Sequence, residues 1–278
     1  MSPVDSDEED LTRKQRREQA RAQRKAMEEA EAAQAVRRTR LTQLGIVVAV
    51  VVVAIVVIAI AAGGSGSSSK GLAKKGTAAE TQAISAVDST IGGIPQNGNV
   101  LGSPTAPVTL VYFGDLQCPI CREFTLGALP SIVQKWVRSG KVKIEYRSLE
   151  TATREPEVFK TQQIAALAAG KQKLMWNYLE LFYHEQGKED SGYVTESYLQ
   201  GLAHQVPGLN IATWTEDRKD PTFENQVAAD AQTANNEGFN GTPSFLIGHS
   251  GGTLKKLPEV SLTESAGFDS AIESELKA

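Results

Sequence analysis

The hydrophobic and polar positions divide the chain into stretches of different character. Residues 1–43 are almost entirely polar, with an acidic start followed by many Arg, Glu and Gln residues. Residues 44–62 form a run of 19 uncharged residues rich in Val and Ile. Residues 63–91 begin as a polar Gly/Ser stretch, and residues 92–278 carry apolar patterns typical of strands and helices.

The apolar run at 44–62 predicts one membrane-spanning helix, which would cover about 28 Å, close to the hydrocarbon thickness of a bilayer. Arg37, Arg38 and Arg40 precede it, so the positive-inside rule predicts a cytoplasmic N-terminus and an extracytoplasmic C-terminal domain. The length of the run favours an uncleaved signal anchor, and a leader cleaved near Ala59-Ile60-Ala61 is the alternative. We therefore expect a single-pass protein of the cell membrane.

These patterns predict a charged cytoplasmic tail over 1–43, a transmembrane helix over 44–62, a flexible linker over 63–91 and one domain over 92–278. The last part of the linker, up to Ile91, fits either further linker or a weak helix. About 187 residues remain for the domain, which is enough for a single core.

The domain begins with a predicted strand, helix and second strand. Val108–Phe113 is β-branched and aromatic, and the positions from Cys118 to about Arg138 are apolar at helical spacing. Pro130 is expected to kink this helix. Lys141–Tyr146 alternates apolar and polar residues, which predicts the second strand and hence a βαβ unit.

A long helical insertion is predicted to follow, over about 155–237, with room for four or five helices. Strand signals return at 244–247, with a possible partner at 253–257, and a closing helix is predicted over about 262–276. The fold class is therefore α/β, with the helical insertion between two strand regions.

Charge and cysteine content exclude several classes of function. The chain has 29 basic and 33 acidic residues and a net charge of −4, so it lacks the electrostatic footprint of a nucleic-acid-binding protein. Its 2 cysteines are too few for a disulfide-dense scaffold or a four-cysteine zinc site.

Both cysteines lie in the motif Cys118-Pro119-Ile120-Cys121, between the first predicted strand and its helix. The free N–H groups and the dipole at a helix N-terminus stabilise a thiolate, so the pKa of Cys118 should lie below the free value of about 8.5. Cys121 can then close a disulfide with Cys118, and Pro119 fits the first helical turn. The spacing and placement favour redox catalysis.

Two other readings of the pair remain open. A structural disulfide is one, although a four-residue loop removes little chain entropy. A metal site is the other, but zinc needs four ligands and His184, His204 and His249 are all distant from the pair in sequence. We therefore predict no metal.

A second motif, Gly241-Thr242-Pro243, precedes the returning strand. Together with the cysteine motif it carries a family resemblance, through the segments Gly98–Gly102, Ala106–Leu110, Phe113–Phe124 and Gly241–Phe245. These segments closely resemble the DsbA-like thioredoxin-fold thiol-disulfide oxidoreductases, in particular their membrane-anchored actinobacterial forms. The resemblance covers about residues 91–278.

The resemblance implies a thioredoxin fold with a helical insertion and a redox-active Cys118–Cys121 disulfide. It implies that Cys118 is the attacking nucleophile and Cys121 the resolving thiol. Pro243 would be a cis-proline facing the disulfide, and Thr242 would hold a substrate peptide through its backbone. Pro119, Ile120 and Gly241 would complete the two motifs, and no cofactor is implied.

The function implied is the introduction of disulfide bonds into reduced exported proteins. Re-oxidation would need a membrane quinone-linked partner of the DsbB or vitamin K epoxide reductase-like type, with the span at 44–62 holding the enzyme in the lipid bilayer nearby. A disulfide reductase or isomerase of the same fold is one alternative. A non-catalytic peptide-binding module of the same fold is another.

Two positions depart from the family pattern. Ile120 stands where the best-known DsbA has a histidine, which removes one positive charge near Cys118. Tyr112 stands six residues before Cys118, where these families often carry a buried acid. Asp115 is a candidate for a surface turn and only a weak substitute for that acid. We therefore expect an oxidant milder than one with histidine in its motif.

Overall fold

The computed structural model describes residues 72–278. Its centre is a six-stranded mixed sheet in the order β1-β2-β4-β3-β5-β6. The strands are β1 (Gln96–Asn97), β2 (Val100–Leu101), β3 (Val108–Gly114), β4 (Val142–Ser148), β5 (Ser244–His249) and β6 (Lys255–Lys256). The predicted tail and the predicted span at 44–62 lie outside the described residues. Between residues 72 and 278, no helix is both long enough and apolar enough to cross a membrane.

Strand β3 lies in the middle of the sheet, and each of its residues is buried. It runs parallel to β4, with Val108 opposite Val142, and antiparallel to β5, with Phe113 opposite Ser244. Because both faces of this strand are covered, it reads as a continuous apolar run in sequence. The parallel pairing of β3 and β4 confirms the predicted βαβ unit.

Helices cover both faces of the sheet and form the insertion between β4 and β5. They are α1 (Ala78–Ile91), α2 (Pro119–Leu126), α3 (Ala128–Ile132), α4 (Pro156–Lys171), α5 (Met175–His184), α6 (Glu196–Gln205), α7 (Ile211–Asp217), α8 (Thr222–Asn236) and α9 (Ala266–Lys277). A π-helical turn over Val133–Val137 extends α3. Five of the helices, α4 to α8, lie in the range where four or five were predicted.

The helix after the cysteines is interrupted at Gly127, three residues before Pro130, so the predicted disruption of this helix is present, with its break at the glycine. A Cβ on Gly127 would lie 2.7 Å from the Leu262 carbonyl oxygen and 2.9 Å from the Thr263 Cα. The chain before α9 therefore packs directly against this glycine and interrupts the helix there. Pro130 is the third residue of α3, where its missing N–H has no helical partner to lose.

The flexible linker predicted over 63–91 is wrong over its last part, because α1 occupies Ala78–Ile91. Thr77 caps this helix by accepting a hydrogen bond from the Glu80 N–H. Ala83, Val87 and Ile91 are buried against the core, and their spacing of four residues places them on one face. The weak-helix alternative was the correct reading of this stretch, and tertiary packing stabilises the helix.

Candidate functional site

The two cysteines lie where β3 gives way to α2. Cys118 is the N-cap residue of α2, and its Sγ accepts a hydrogen bond of 3.4 Å from the Cys121 N–H. Pro119 follows in the first turn, where the helix needs no N–H from it. Both cysteines are free thiols, Cys118 with 5% of its surface exposed and Cys121 with none.

The two thiols differ in acidity. The pKa of Cys118 is lowered to about 6, first by the hydrogen bond from the Cys121 thiol and then by the Thr242 side chain and the N–H groups of Cys121 and Ile120, against the opposing effect of burial. The pKa of Cys121 is raised well above its usual value, first by burial and then by its hydrogen bond to Cys118. At neutral pH, Cys118 is therefore mainly a thiolate and Cys121 a thiol.

The Gly241-Thr242-Pro243 motif lies directly against Cys118. The Thr242–Pro243 peptide bond is cis, and the Thr242 carbonyl accepts a 3.4 Å hydrogen bond from the Cys118 thiol. Antiparallel pairing of β3 with β5 brings the two motifs together, because the end of one strand meets the start of the other. The sheet thus joins residues that are 124 positions apart in sequence.

The surface beside Cys118 is apolar. Pro119 and Ile120 are exposed, and the Ile120 side chain keeps 45% of its surface accessible. Of the large hydrophobic residues between 72 and 278, Ile120 is the exposed one. Gln186, which follows α5, supports this turn from behind by donating to the carbonyl oxygens of Leu116 and Cys118 at 2.8 and 3.1 Å.

Asp115 is fully buried, so its assignment to a surface turn is wrong. Its carboxylate accepts hydrogen bonds of 2.6–3.2 Å from the N–H groups of Gln117, Thr151, Ala152 and Thr153, the Thr153 hydroxyl and the Gln162 amide. Buried carboxylates need such donors to replace water. Asp115 therefore ties the turn before Cys118 to the loop between β4 and α4.

That loop also reaches the second motif. The Thr151 hydroxyl lies 2.5 Å from the Thr242 hydroxyl, and either can be the donor. Nothing in the sequence around Thr151 marks it as part of the site, since it stands in an ordinary polar loop. The available sequence signal was the carboxylate of Asp115, three residues before Cys118. It could not identify Thr151, because the hydrogen-bond partners of Asp115 belong to a loop more than 30 residues away in sequence.

Tyrosines occupy the space behind Cys121, where the family often has an acid. The Tyr112 and Tyr183 hydroxyls are 3.0 Å apart, and the Tyr183 hydroxyl donates to the Asp115 carbonyl at 3.1 Å. The Tyr146 hydroxyl donates to the Gly114 carbonyl at 2.9 Å. Burial raises the pKa of all three tyrosines well above the usual value, so this side of the site carries neutral hydroxyl groups.

Gly114 makes room for the tyrosines. A Cβ at this position would lie 2.8 Å from the Tyr146 ring and 3.0 Å from the Tyr112 hydroxyl. Such distances are far shorter than van der Waals contact, so any side chain here would displace a ring. As for metals, residues 72–278 hold no group of three or more His, Cys, Asp or Glu side chains placed to bind an ion.

The fold and the site can be compared with known proteins. A family model described as Thioredoxin matches residues 95–257, more than half of the chain. The probable disulfide bond formation protein D of Bacillus anthracis is 26% identical over 154 residues, which are 53% of this chain and 68% of that protein. The disulfide bond formation protein D of Bacillus subtilis is 28% identical over 153 residues, which are 53% of this chain and 66% of that protein.

Solved structures share the fold. Oxidised BdbD from Bacillus subtilis superposes with a TM-score of 0.56 at 24% identity, over 66% of this chain and 98% of that one. Wolbachia pipientis alpha-DsbA1 superposes with a TM-score of 0.53 at 19% identity, over 64% of this chain and 90% of that one. The chain belongs to the thioredoxin family, and within it this protein is a thiol-disulfide oxidoreductase similar to the disulfide bond formation proteins D.

Proposed function

We propose that this protein is a dithiol oxidase that passes a Cys118–Cys121 disulfide to reduced exported proteins. One observation carries the proposal: Cys118 has a lowered pKa and lies under an exposed apolar surface, beside a buried thiol that keeps its proton. A thiolate that is stable at neutral pH is a good leaving group, and its stability favours the reduced enzyme, which makes the oxidised form an oxidant.

The proposed cycle has two exchange steps. A substrate thiolate attacks Cys118 Sγ of the enzyme disulfide, the S–S bond breaks, and Cys121 leaves and takes up a proton. A second substrate thiolate then attacks the substrate sulfur of the mixed disulfide, and Cys118 leaves as the thiolate. In sum, two substrate thiols become a disulfide and the enzyme becomes a dithiol, having accepted two electrons. The Thr242 backbone would hold the substrate peptide, with Pro243 and Gly241 shaping the loop.

The pKa of Cys118 bears on the strength of the oxidant. A value of about 6 lies between the value of about 7 for thioredoxin and about 3.5 for DsbA. We infer a reduction potential between those of the two proteins, which are about −270 and −120 mV. Re-oxidation of the dithiol would need an electron acceptor, and we propose a membrane quinone-linked protein of the DsbB or vitamin K epoxide reductase-like type.

A trapping experiment tests the catalytic assignment. Cys121→Ser cannot resolve mixed disulfides, so disulfide-linked adducts of the full chain with exported proteins should accumulate in growing cells through Cys118. Cys118→Ala should form none. Adducts that require Cys121 would reverse the two roles. If disulfide formation in cells were unimpaired by Cys118→Ala, the catalytic assignment would fail and a non-catalytic peptide-binding module would be the remaining function.

We further propose that the protein is a single-pass membrane protein with 44–62 as its anchor and the catalytic domain outside the cytoplasm. The arginines before this segment and its lack of charge support the proposal. Protease added to intact spheroplasts should digest the domain and spare residues 1–43. Protection of the domain with digestion of the tail would contradict this orientation, and release of the whole domain into the medium would indicate a cleaved leader.

A further inference from the structure

One side chain of the helical insertion reaches the turn that carries the cysteines. Gln186 follows α5 and is buried, with 8% of its surface exposed. Its amide donates to the carbonyl oxygens of Leu116 at 2.8 Å and of Cys118 at 3.1 Å. These contacts join residues that are 70 and 68 positions apart in sequence, so they tie the insertion to the redox turn.

The carbonyl of Cys118 is the only hydrogen-bonding group of its peptide unit, because Pro119 has no N–H. It accepts from Gln186 on one side and from the Arg122 N–H, the first bond of α2, at 3.1 Å on the other. Cys118 adopts φ −68° and ψ 118°, and the two donors on its carbonyl hold that ψ. Because ψ sets how the residue meets the helix, the same contacts fix Cys118 as the N-cap residue.

The fixed cap decides which groups the sulfur meets. The Cys118 Sγ accepts from the Cys121 N–H at 3.4 Å, a contact that depends on how Cys118 lies relative to the first turn of α2. Hydrogen bonds to the charged form of a group stabilise that form. The Gln186 N–H groups also offset the negative end of the Cys118 carbonyl, which belongs to the same residue as the sulfur.

We propose that Gln186 is a positioning residue of the redox site: its amide holds the Cys118 carbonyl and so keeps the sulfur against the Cys121 N–H, in the geometry that favours the thiolate. The proposal deepens the proposed function and rests on it, since it concerns the same sulfur. It also gives the helical insertion a part in the chemistry, because α5 and the chain after it place this amide. A purely structural Gln186 would affect the stability of the fold and leave the titration of Cys118 unchanged.

Gln186 can be replaced without changing any charge near the sulfur. The titratable or charged groups on the elements around Cys118 are Asp115 in the turn before it, Cys121 and Arg122 on α2, Glu150 in the loop after β4, His184 and Glu185 at the end of α5, and the tyrosines Tyr112, Tyr146 and Tyr183. Gln186→Met removes the two donors and leaves all these groups in place. A shifted titration of Cys118 in this variant would therefore report the lost amide.

The test compares four purified full-length proteins: wild type, Gln186→Met, Gln186→Ala and Gln172→Met. Gln172 is the matched control, because its amide also makes two hydrogen bonds to backbone groups, donating to the Asn210 carbonyl at 3.1 Å and accepting from the Asn210 N–H at 2.9 Å. It precedes α5, whereas Gln186 follows it, so a helix of 10 residues, about 15 Å long, separates the two. The thiolate absorbance of the reduced proteins gives the Cys118 pKa, equilibration with glutathione gives the ratio of enzyme dithiol to enzyme disulfide, and urea unfolding gives the stability.

We expect both Gln186 variants to raise the Cys118 pKa by about half a unit and to lower the equilibrium constant for reduction by glutathione about threefold, which is about 15 mV. Gln172→Met should lose stability but match the wild type in pKa and equilibrium constant. Gln186→Met keeps most of the side-chain volume, so it carries the test even if Gln186→Ala does not fold. An unchanged pKa and equilibrium constant in Gln186→Met, or an equal change in Gln172→Met, would overturn the inference. The proposed function would still stand in that case, provided that Cys118 of the wild type trapped substrates.

Discussion

Cys118 and Cys121 are three residues apart on the first turn of one helix, but they belong to two different environments. The outer half of the site, formed by Cys118, Ile120, Thr151 and Thr242, meets the surface and offers hydrogen-bond donors to sulfur. The inner half, formed by Cys121, Tyr112, Tyr146 and Tyr183, is closed off from solvent and its groups stay neutral. The same side-chain chemistry thus gives a thiolate on one side and a thiol on the other.

The comparison teaches that the two halves depend on each other. The largest cause of the low Cys118 pKa is the hydrogen bond from the Cys121 thiol, ahead of the donors at the start of the helix. Burial keeps the proton on Cys121, and that proton stabilises the charge on Cys118. The low pKa of Cys118 in the outer half therefore depends on the burial of Cys121 in the inner half. Asp115 joins the two halves, since its carboxylate holds the loop of Thr151 while its carbonyl accepts from Tyr183.

The largest effect is expected from Asp115→Ala, which removes the carboxylate that holds the Thr151 loop and keeps the backbone carbonyl that accepts from Tyr183. Several buried N–H groups would lose their partner, so the free energy of unfolding should fall by about 3–5 kcal/mol. Urea unfolding of the full chain followed by tryptophan fluorescence measures it, because all 3 tryptophans lie within residues 72–278, which the structure describes. Glu216→Ala, which removes an exposed ion pair with Lys219, should change the value by less than about 1 kcal/mol. Equal losses in both variants would show that the Asp115 contacts add little.

The next effect concerns the proton of Cys121. Cys121→Ala removes the donor to Cys118 and should raise the Cys118 pKa by about one unit, whereas Cys121→Ser keeps a donor and should leave it near the wild-type value of about 6. In wild type, reactivity should therefore rise as pH increases through about 6, because the thiolate fraction grows. Iodoacetamide alkylation rates between pH 4 and about 9 measure the Cys118 pKa in the wild type and in both variants. Identical profiles for the two variants would mean that the inner half does not control the outer one.

A smaller effect is expected from Ile120→His, which adds a positive charge or a donor to the outer half alone. The Cys118 pKa should fall by up to about one unit, and the reduction potential should rise by up to about 30 mV, or about 1.4 kcal/mol. Ile120→Leu serves as the control, since it keeps the apolar surface. Glutathione equilibration measures the potential. A potential that stays constant or falls in Ile120→His would contradict the electrostatic account, and a wild-type value near about −270 mV would favour a reductase.

Part of this site follows from local patterns in the chain. The apolar run of β3, the alternation of β4 and the placement of Cys118 at the start of a helix are properties of neighbouring residues, and the structure has all of them. A disruption of the helix after the cysteines followed from Pro130, but its placement at Gly127 did not, because there the glycine packs against residues before α9, far along the chain. The helix α1 was ambiguous because its apolar stripe is narrow and gains stability only by packing.

By itself, the sequence predicted the α/β fold class, the placement of the cysteine pair at the start of a helix, and a membrane anchor at 44–62, which lies outside the described residues, since each is encoded in periodicity, spacing or a run of apolar residues. Only the tertiary structure decided that Asp115 is buried, that Thr151 meets Thr242, and that the Cys121 thiol is the main cause of the Cys118 acidity. The physical reason is the distance along the chain over which each property is set. Periodicity arises within a few residues, whereas the charge on a sulfur depends on every donor and on the burial that folding brings around it.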